Sequence, residues 1–214
     1  MNIEWLGQQS YGDMLQRQRR RRDEILAGTN TEVIWFLEHN PPVITVGRRP
    51  APTTPSPQWL AGQGMEYFQT ERGGLATWHG PGQLVGYVLV DIHRRKLRVR
   101  DVVTGLEGAV IDWLAGQGVC ATRRPKMPGV WVEHNKICAV GLHFRKGVSM
   151  HGLALNLCPD LQTGFGCIVP CGITDGGVTS LAHLTGRHLL PEQAWVDLGA
   201  VLKEKLVDGS GAVL

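Results

Sequence analysis

The stretch "GVWVEHNKICAVGLHFRKGVSMHGLALNL", residues 129–157, decides the fold class. Its three apolar runs, 129–133, 136–144 and 148–157, have the length and composition of β-strands. Two short polar segments, "EHN" and "RKG", separate the runs and predict turns between them. The stretch therefore predicts a series of strands within a mostly antiparallel or mixed sheet.

On both sides of this series the same criteria predict more strands and several helices. Strands are predicted over 3–7, 32–39, 42–49, 65–71 and 84–92. Helices are predicted from an N-cap at Ser10 to about residue 27, within 58–64, from about 100 to 116, and from Pro191 to about 206. Strands occur in runs with helices between them, without βαβ alternation or an internal repeat. We expect an α+β fold in which one domain, 1–214, has a mostly antiparallel or mixed sheet and packed helices.

The first predicted helix has a polar centre. Its apolar residues lie towards its ends, and Gln18 and Arg22 stand where the helical stripe would place core residues. We therefore expect this helix to pack by its two ends. Its middle contains the basic run "RQRRRR", from Arg17 to Arg22, whose simplest interpretation is a solvated face.

Composition excludes several classes of protein. With 43% hydrophobic and 19% charged residues, the 214-residue chain can build a full core. The longest apolar run, "LVGYVLV", is far shorter than the roughly 20 residues of a membrane span. The first residues do not form a secretory signal, so we expect a cytoplasmic protein. A net charge of +3 is too small to indicate nucleic-acid binding.

Cysteine usage argues against a disulfide framework. The five cysteines are odd in number and irregular in spacing, and they are Cys120, Cys138, Cys158, Cys167 and Cys171. A zinc site could be imagined from Cys158, Cys167 and Cys171 with His151 or His183. Structural zinc sites favour closely spaced ligand pairs, which this sequence lacks, so we expect no metal.

The segment "RGGLATWHGPGQ", residues 72–83, contains four glycines and a proline. With this many glycines and a proline in twelve residues, we expect no regular element there. Glycines also let the backbone approach a ligand closely. Arg72 and His79 bracket its first part, which favours a ligand-binding role over a purely structural crossover. It is not a phosphate-binding loop by pattern, since no lysine followed by Ser or Thr ends it.

Cys171 lies between a proline and a glycine in "VPCGITDGGVTSL". A single cysteine is usually a small buried hydrophobe, but these flanks could present its sulfur to a cleft. A reactive cysteine needs a nearby base or cation. Lys136 could serve, although a lysine at the start of a strand is usually solvated. The histidine candidates are His79, His143, His151 and His183, and spacing alone leaves the choice open.

Four motifs in order carry a resemblance to a known family. They are "RGGLATWHGPGQLVGYVLVDI", "GVWVEHNKICAVGLHF", "SMHGLALNL" and "PCGITDGGVTSL". Together they resemble the lipoyl(octanoyl)transferase family, the protein-octanoyltransferases of lipoate synthesis. The resemblance implies a fold similar to the catalytic domain of biotin and lipoate protein ligases. It also implies transfer of an octanoyl group without a cofactor.

The resemblance also assigns roles to residues. It places the nucleophilic cysteine at Cys171 and its paired lysine at Lys136. The implied substrate contacts are Arg72, Gly73, Gly74, Leu75, Ala76, Thr77, Trp78, His79, Ala139, Val140, Gly141, Gly152, Leu153 and Ala154. Two departures concern the shape of the pocket: Trp78 stands where the family often has tyrosine, and the loop 50–58 is rich in proline.

The implied partners are two kinds of protein. Acyl carrier protein would donate the octanoyl group, and lipoyl domains of 2-oxoacid dehydrogenase complexes and the glycine cleavage H protein would accept it. The basic runs Arg17–Arg22 and Arg94–Arg100 could dock the acidic carrier, and we expect a monomer. Two other hypotheses remain open: an ATP-dependent lipoate or biotin ligase on the same fold, and a cysteine-rich metal or redox protein without enzymatic activity.

Overall fold

A computed structural model of the chain describes residues 1–49, 55–168 and 176–207. Its strands are β1 (Asn2–Gln9), β2 (Val33–His39), β3 (Val43–Val46), β4 (Glu66–Gln69), β5 (Ala76–His79), β6 (Gln83–Leu89), β7 (Thr122–Arg124), β8 (Met127–Val132), β9 (Asn135–Arg145), β10 (Val148–Asn156) and β11 (Gly177–Val178). Its helices are α1 (Tyr11–Leu26), α2 (Pro57–Gly62), α3 (Val99–Gly116), α4 (Leu161–Phe165), α5 (Leu181–Thr185) and α6 (Pro191–Val207).

The larger of two sheets has the strand order β1-β2-β6-β10-β9-β8-β7, with β11 also paired to β9. Along this path β1 and β2 are parallel, and all other neighbours are antiparallel. The stretch 129–157 forms β8, β9 and β10, the strand series that its pattern predicts. The expected α+β class with a mixed sheet and packed helices is confirmed.

Helices cover both faces of the larger sheet. On one face α3 and α6 pack against alternate residues of the central strands, such as Phe36 and Val88. On the other face α1 packs against the residues between them, such as Trp35 and Tyr87. Because both faces are buried, β2 and β6 are apolar at successive positions instead of alternating with polar residues.

The smaller sheet, β4-β3-β5, corrects one prediction. We expected no regular element within 72–83, but Ala76–His79 forms β5, antiparallel to β3. The four residues of β5 lie between Gly74 and Gly80 and include neither glycine nor proline, so their backbone groups can pair with β3. The short elements β7, α4, β11 and α5 have no counterpart among the predicted ones.

Helix α1 confirms its predicted N-cap and corrects its predicted packing. The Ser10 side chain accepts a hydrogen bond from the Asp13 backbone N–H, as an N-cap does. The centre of the helix is buried, however, because Gln18 is 0% and Arg22 is 5% exposed. Gln18 Oε1 accepts from the His151 N–H at 2.8 Å, and an Arg22 guanidinium nitrogen lies 3.1 Å from Met150 Sδ. Polar side chains with partners on β10 therefore pack the middle of α1, and the prediction that it packs only by its ends is wrong.

Within the described ranges, no helix has both the length and the apolar character needed to cross a membrane. The same ranges contain no group of three or more His, Cys, Asp or Glu side chains arranged to hold a metal ion. The imagined zinc site also includes Cys171, which lies outside the described residues.

Candidate active site

A cavity of about 590 Å³ opens between β9, β10 and the loop before β5. It brings together most of the residues that the resemblance assigned to substrate contact. Those that line it are Arg72, Gly73, Gly74, Thr77, His79, Ala139, Val140, Gly141, Gly152, Leu153 and Ala154, and Lys136 lines it as well. A volume of this size suits a small-molecule ligand.

Three of the assigned residues do not line this cavity. Ala76 and Trp78 pack instead into an apolar cluster with Ile44 and Phe165. They alternate along β5 with Thr77 and His79, so the two pairs face opposite sides of the strand. Leu75 precedes the strand, and its backbone carbonyl accepts a hydrogen bond from Gly47 N–H.

Lys136 is buried within the protein and is not a solvated strand end. The residue is only 6% exposed, and its Nζ donates to the Pro128 carbonyl at 3.1 Å. The same Nζ lies 4.7 Å from the centre of the Trp131 ring, a cation–π distance. The Trp131 indole N–H is in turn bonded to the Met127 carbonyl. Strand β8 thus holds the lysine by a carbonyl oxygen and an aromatic face.

A β-bulge turns Lys136 towards the cavity. Gly129 pairs with Ala139, and Trp131 pairs with Lys136, so one extra residue is inserted in β9 between them. The extra residue lets both Ile137 and Cys138 enter the core on the same side of the sheet. Strict alternation from Ala139 would otherwise place Lys136 on the core face.

Gly129 makes room for the lysine stem. Its φ of +127° lies where side chains are rarely tolerated, and a Cβ there would be 2.5 Å from the Cys138 carbonyl oxygen and 3.2 Å from Lys136 Cε. The Gly129 N–H donates at 2.8 Å to the buried carboxylate of Glu107, on α3. Glu107 also pairs with Arg123 at 3.2 Å. One helix residue therefore anchors the part of β8 against which Lys136 lies.

The buried side chain of Arg72 supports the backbone of the glycine-rich segment before β5. Its guanidinium donates to the Thr45 carbonyl at 2.6 Å, to Thr45 Oγ1 at 2.8 Å and to the Gly73 carbonyl at 2.9 Å. Gly73 N–H also bonds to the Leu142 carbonyl, which ties the loop to β9. Arg72 thus fixes the backbone at this wall of the cavity while its positive charge remains next to it.

The histidines of the cavity are held neutral. His79 Nδ1 lies 2.7 Å from Gln83 Oε1, and the Gln83 amide nitrogen is bonded to other acceptors, so His79 donates here. Burial, together with the charge of His39, lowers the pKa of His79 to about 3. Burial and the Arg72 charge lower the pKa of His151 to about 3. Near neutral pH, neither imidazole supplies a positive charge.

Of the four histidines considered as partners for Cys171, three share the cavity with Lys136, namely His79, His143 and His151. His183 lies on α5 and does not line it. Lys136 is thus accompanied by histidines whose lowered pKa values make them poor sources of positive charge.

Comparison with known proteins shows the family of the chain. The family model of the lipoyl protein ligase A/B catalytic domain matches residues 10–200. An octanoyltransferase of Novosphingobium aromaticivorans is 46% identical over 188 residues, which cover 86% of this chain and 81% of that protein.

The chain belongs to the lipoyl protein ligase A/B catalytic domain family.

Solved structures show the same fold at low sequence identity. A bi-partite lipoate protein ligase from Thermoplasma acidophilum aligns with a TM-score of 0.71 at 17% identity, covering 96% of this chain and 82% of that one. The biotin protein ligase of Aquifex aeolicus aligns with a TM-score of 0.55 at 14% identity, covering 96% and 69%. The expected likeness to the ligase fold is confirmed.

Three described cysteines of this family member, Cys138, Cys158 and Cys167, are not activated thiols. Burial raises the pKa of Cys138 to about 12, and burial also raises the pKa values of Cys158 and Cys167. Thiols of this kind are unreactive near neutral pH. Cys171, which the family resemblance assigns as nucleophile, lies outside the described residues.

The described residues on both sides of the stretch 169–175 lie beside Lys136. Phe165, before that stretch, and Val178, after it, line a small void together with Lys136 and Ala139. Val178 on β11 pairs with Lys136, and the Lys136 carbonyl accepts from the Thr179 N–H at 3.0 Å. Phe165 and Val178, which flank the stretch 169–175 in sequence, therefore both lie close to this lysine.

Sequence reasoning missed several residues of the cavity. Tyr11 and Tyr87 line it, as do Arg48, Arg49 and Lys126. Tyr11 looked like an ordinary core residue at the start of a helix. The two arginines lie at the end of the strand predicted over 42–49, and this is the signal that could have suggested a site, because loops after strands often carry functional side chains.

Proposed function

We propose that this chain transfers an octanoyl group from acyl carrier protein to a lysine of a lipoyl domain, through a thioester on Cys171. The observation that carries the proposal is the buried Lys136, which lines the cavity and shares a small void with Phe165 and Val178, on either side of the sequence stretch that contains Cys171. The curated octanoyltransferase with 46% identity supports the same reaction class, an acyltransferase.

The cavity has walls that suit an acyl chain. Val85, Ala139, Leu153 and Ala154 contribute apolar surface to it. Burial of each methylene contributes about 0.8 kcal/mol, so an alkyl chain gains affinity in proportion to its length. The polar groups in the part of the cavity near Lys136 then remain available to bind the reacting octanoyl carbonyl.

In the first half of the proposed reaction, the ammonium of Lys136 stabilises the thiolate of Cys171. The thiolate attacks the octanoyl carbonyl, and the tetrahedral intermediate collapses with cleavage of the bond to the pantetheine sulfur. Lys136 donates its proton to that departing thiolate. The products are an octanoyl thioester on Cys171, a free pantetheine thiol and a neutral Lys136.

In the second half, neutral Lys136 accepts a proton from the incoming lysine amine as the amine attacks the acyl-enzyme. The Cys171 sulfur leaves as a thiolate, and Lys136 is again an ammonium. A thioester is exchanged for a thioester and then for an amide, so the sequence runs downhill and uses neither ATP nor a cofactor.

An ATP-dependent lipoate or biotin ligase is the second candidate, because such ligases share the fold. Likeness at 14% and 17% identity supports the fold alone, whereas the octanoyltransferase is similar at the level of sequence. Turnover of an octanoyl thioester without ATP separates the two functions.

The test is an intact-mass measurement after mixing the protein with octanoyl carrier protein and no ATP. We expect an adduct of one octanoyl group that maps to Cys171 and disappears when a lipoyl domain is added. Cys171→Ser should form no stable adduct and lose turnover, while Cys167→Ser should keep both. An adduct on another cysteine, or transfer that requires ATP, would contradict the proposal.

A further inference from the structure

Three cationic residues stand at the edge of the cavity. Arg48 and Arg49 follow β3, and Lys126 lies in the turn between β7 and β8. All three are exposed and line the cavity. Within residues 1–49, 55–168 and 176–207, none of them has an ion-pair partner.

The basic run of α1 is different, because neighbouring carboxylates neutralise it. Arg19 binds Glu71 at 3.2 Å, and Arg20 and Arg21 both pair with Glu24. The remaining pairs of this run are Arg17 with Glu4 and Arg22 with Asp23. This run therefore presents little net charge to a partner.

The second basic run is partly neutralised, and none of its basic residues lines the cavity. Arg95 pairs with Glu32, and Arg98 pairs with Asp101 at 2.8 Å. Arg94, Lys96 and Arg100 remain, but none of them belongs to the lining of the cavity. Among the residues that the structure describes, Arg48, Arg49 and Lys126 combine a place at the cavity edge with the lack of an ion-pair partner.

From this we infer that Arg48, Arg49 and Lys126 form the docking site for the phosphodiester of the carrier's phosphopantetheine arm. The inference rests on the proposed function. A thioester carbonyl at Lys136 requires the rest of the arm to leave through the cavity opening, where its anionic phosphodiester meets these three cations. Arginine binds phosphate oxygens with paired N–H donors, and lysine adds a compact charge.

The charge balance nearby favours an anionic ligand. Arg48 is close enough to His143, on the cavity wall, for its charge to contribute to the lowered pKa of that histidine. Glu71 acts on His143 in the opposite sense, but Arg19 already binds its carboxylate. An added phosphodiester would compensate the remaining positive charge at this edge.

The experiment uses two small donors that differ by one phosphate, octanoyl-4′-phosphopantetheine and octanoyl-pantetheine, with a lipoyl domain as acceptor. The unmodified protein should show a kcat/KM about tenfold higher for the phosphorylated donor, equivalent to one or two charge-assisted contacts. In the triple variant Arg48→Gln, Arg49→Gln and Lys126→Gln, this ratio should fall towards one. With octanoyl carrier protein, KM should rise and its salt dependence should flatten.

A matched control removes three charges elsewhere, by Arg20→Gln, Arg94→Gln and Lys203→Gln. All three are exposed, and none lines the cavity. This variant should keep the donor ratio of the unmodified protein. It also tests the two basic runs, since Arg20 and Arg94 belong to them.

Three results would overturn the docking site. They are an unchanged donor ratio in the cavity-edge variant, an equal fall in the control, and a rise in KM for the lipoyl domain alone. Failure of the proposed function looks different, because the unmodified protein would then transfer octanoyl from neither donor.

Discussion

At the scale of single residues, Lys136 depends on the absence of a side chain at Gly129. The lysine stem passes over this glycine to reach the Pro128 carbonyl and the Trp131 ring. A methyl group at Gly129 would press on Lys136 Cε and on the backbone of Cys138. The position of the ammonium is thus determined by a residue that has no chemistry of its own.

Gly129→Ala should therefore reduce kcat by tenfold or more, on the order of the loss expected when a catalytic group is misplaced. The matched control is Gly118→Ala, which also has a positive φ, +81°, but whose Cβ would meet no atom within 4 Å. Gly118→Ala bears the backbone cost of the left-handed region, about 1–2 kcal/mol. Chemical denaturation measures the loss of stability in both variants. Equal kcat values in the two variants would show that Gly129 only avoids backbone strain, and that the space it leaves for Lys136 does not affect turnover.

At the scale of elements, helix α3 holds strand β8 in place beneath the lysine. The Glu107 carboxylate accepts the Gly129 N–H and binds Arg123, so a helix in the core layer controls a strand at the cavity. The β9 bulge then brings Lys136 onto the same face as Gly129 and Trp131. Three elements must be in register before the lysine points into the cavity.

Glu107→Ala should lower the free energy of unfolding by about 1–3 kcal/mol, because it leaves the buried Gly129 N–H without an acceptor. It should also lower kcat through displacement of β8. Glu107→Gln keeps an amide oxygen in the same place and should recover most of both quantities. Arg123→Gln, which removes only the more exposed partner, should stay close to the unmodified protein. Urea unfolding and turnover measure the series, and equal losses for Ala and Gln would contradict the role of the acceptor oxygen.

At the scale of the whole molecule, the four elements α1, β2, β5 and β6 bury a group of aromatic and imidazole rings. Tyr11 of α1 is stacked near His79 of β5, and His39 of β2 lies 2.6 Å from the Tyr87 hydroxyl. His39 Nδ1 faces the Gln9 carbonyl, which can only accept, so His39 Nε2 accepts from the tyrosine. Burial lowers the pKa of His39 to about 4. The fold therefore keeps this cluster uncharged.

The free energy of unfolding should fall as the pH drops from 7 to 5. His39, His79 and His151 have depressed pKa values in the folded state, about 4, 3 and 3, against about 6.5 when unfolded. Below pH 6.5 the unfolded chain binds protons that the folded chain does not. The contribution of these histidines to the free energy of unfolding is therefore fully present above pH 6.5 and decreases as the pH falls below it. The expected loss at pH 5 is ~2 kcal/mol for each histidine.

Denaturant unfolding at pH 7, 6 and 5 measures this loss. A free energy of unfolding that stays constant from pH 7 to pH 5 would show that the three imidazoles are not held neutral.

Several elements could be derived from the sequence because their signals are local. Ser10 caps α1, Pro191 begins α6, and the turns around 133–135 and 145–147 separate β8, β9 and β10 as their composition predicts. The ordered motifs also indicated the family and most of the cavity lining. These features depend on residues close together in the chain or on whole motifs, which are visible without a structure.

Other features were decided only by the tertiary structure, because they depend on residues far apart in the chain. Gln18 and Arg22 are buried since β10 supplies partners for them, and the basic run of α1 is neutralised by Glu4 and Glu71 from other elements. Lys136 faces the cavity only because β8 and β9 pair with a bulge. The sequence by itself determined which residue types were available and which local elements they form. The pairing of strands and the packing of helices determined which of those side chains are buried, which are neutralised and which face the cavity.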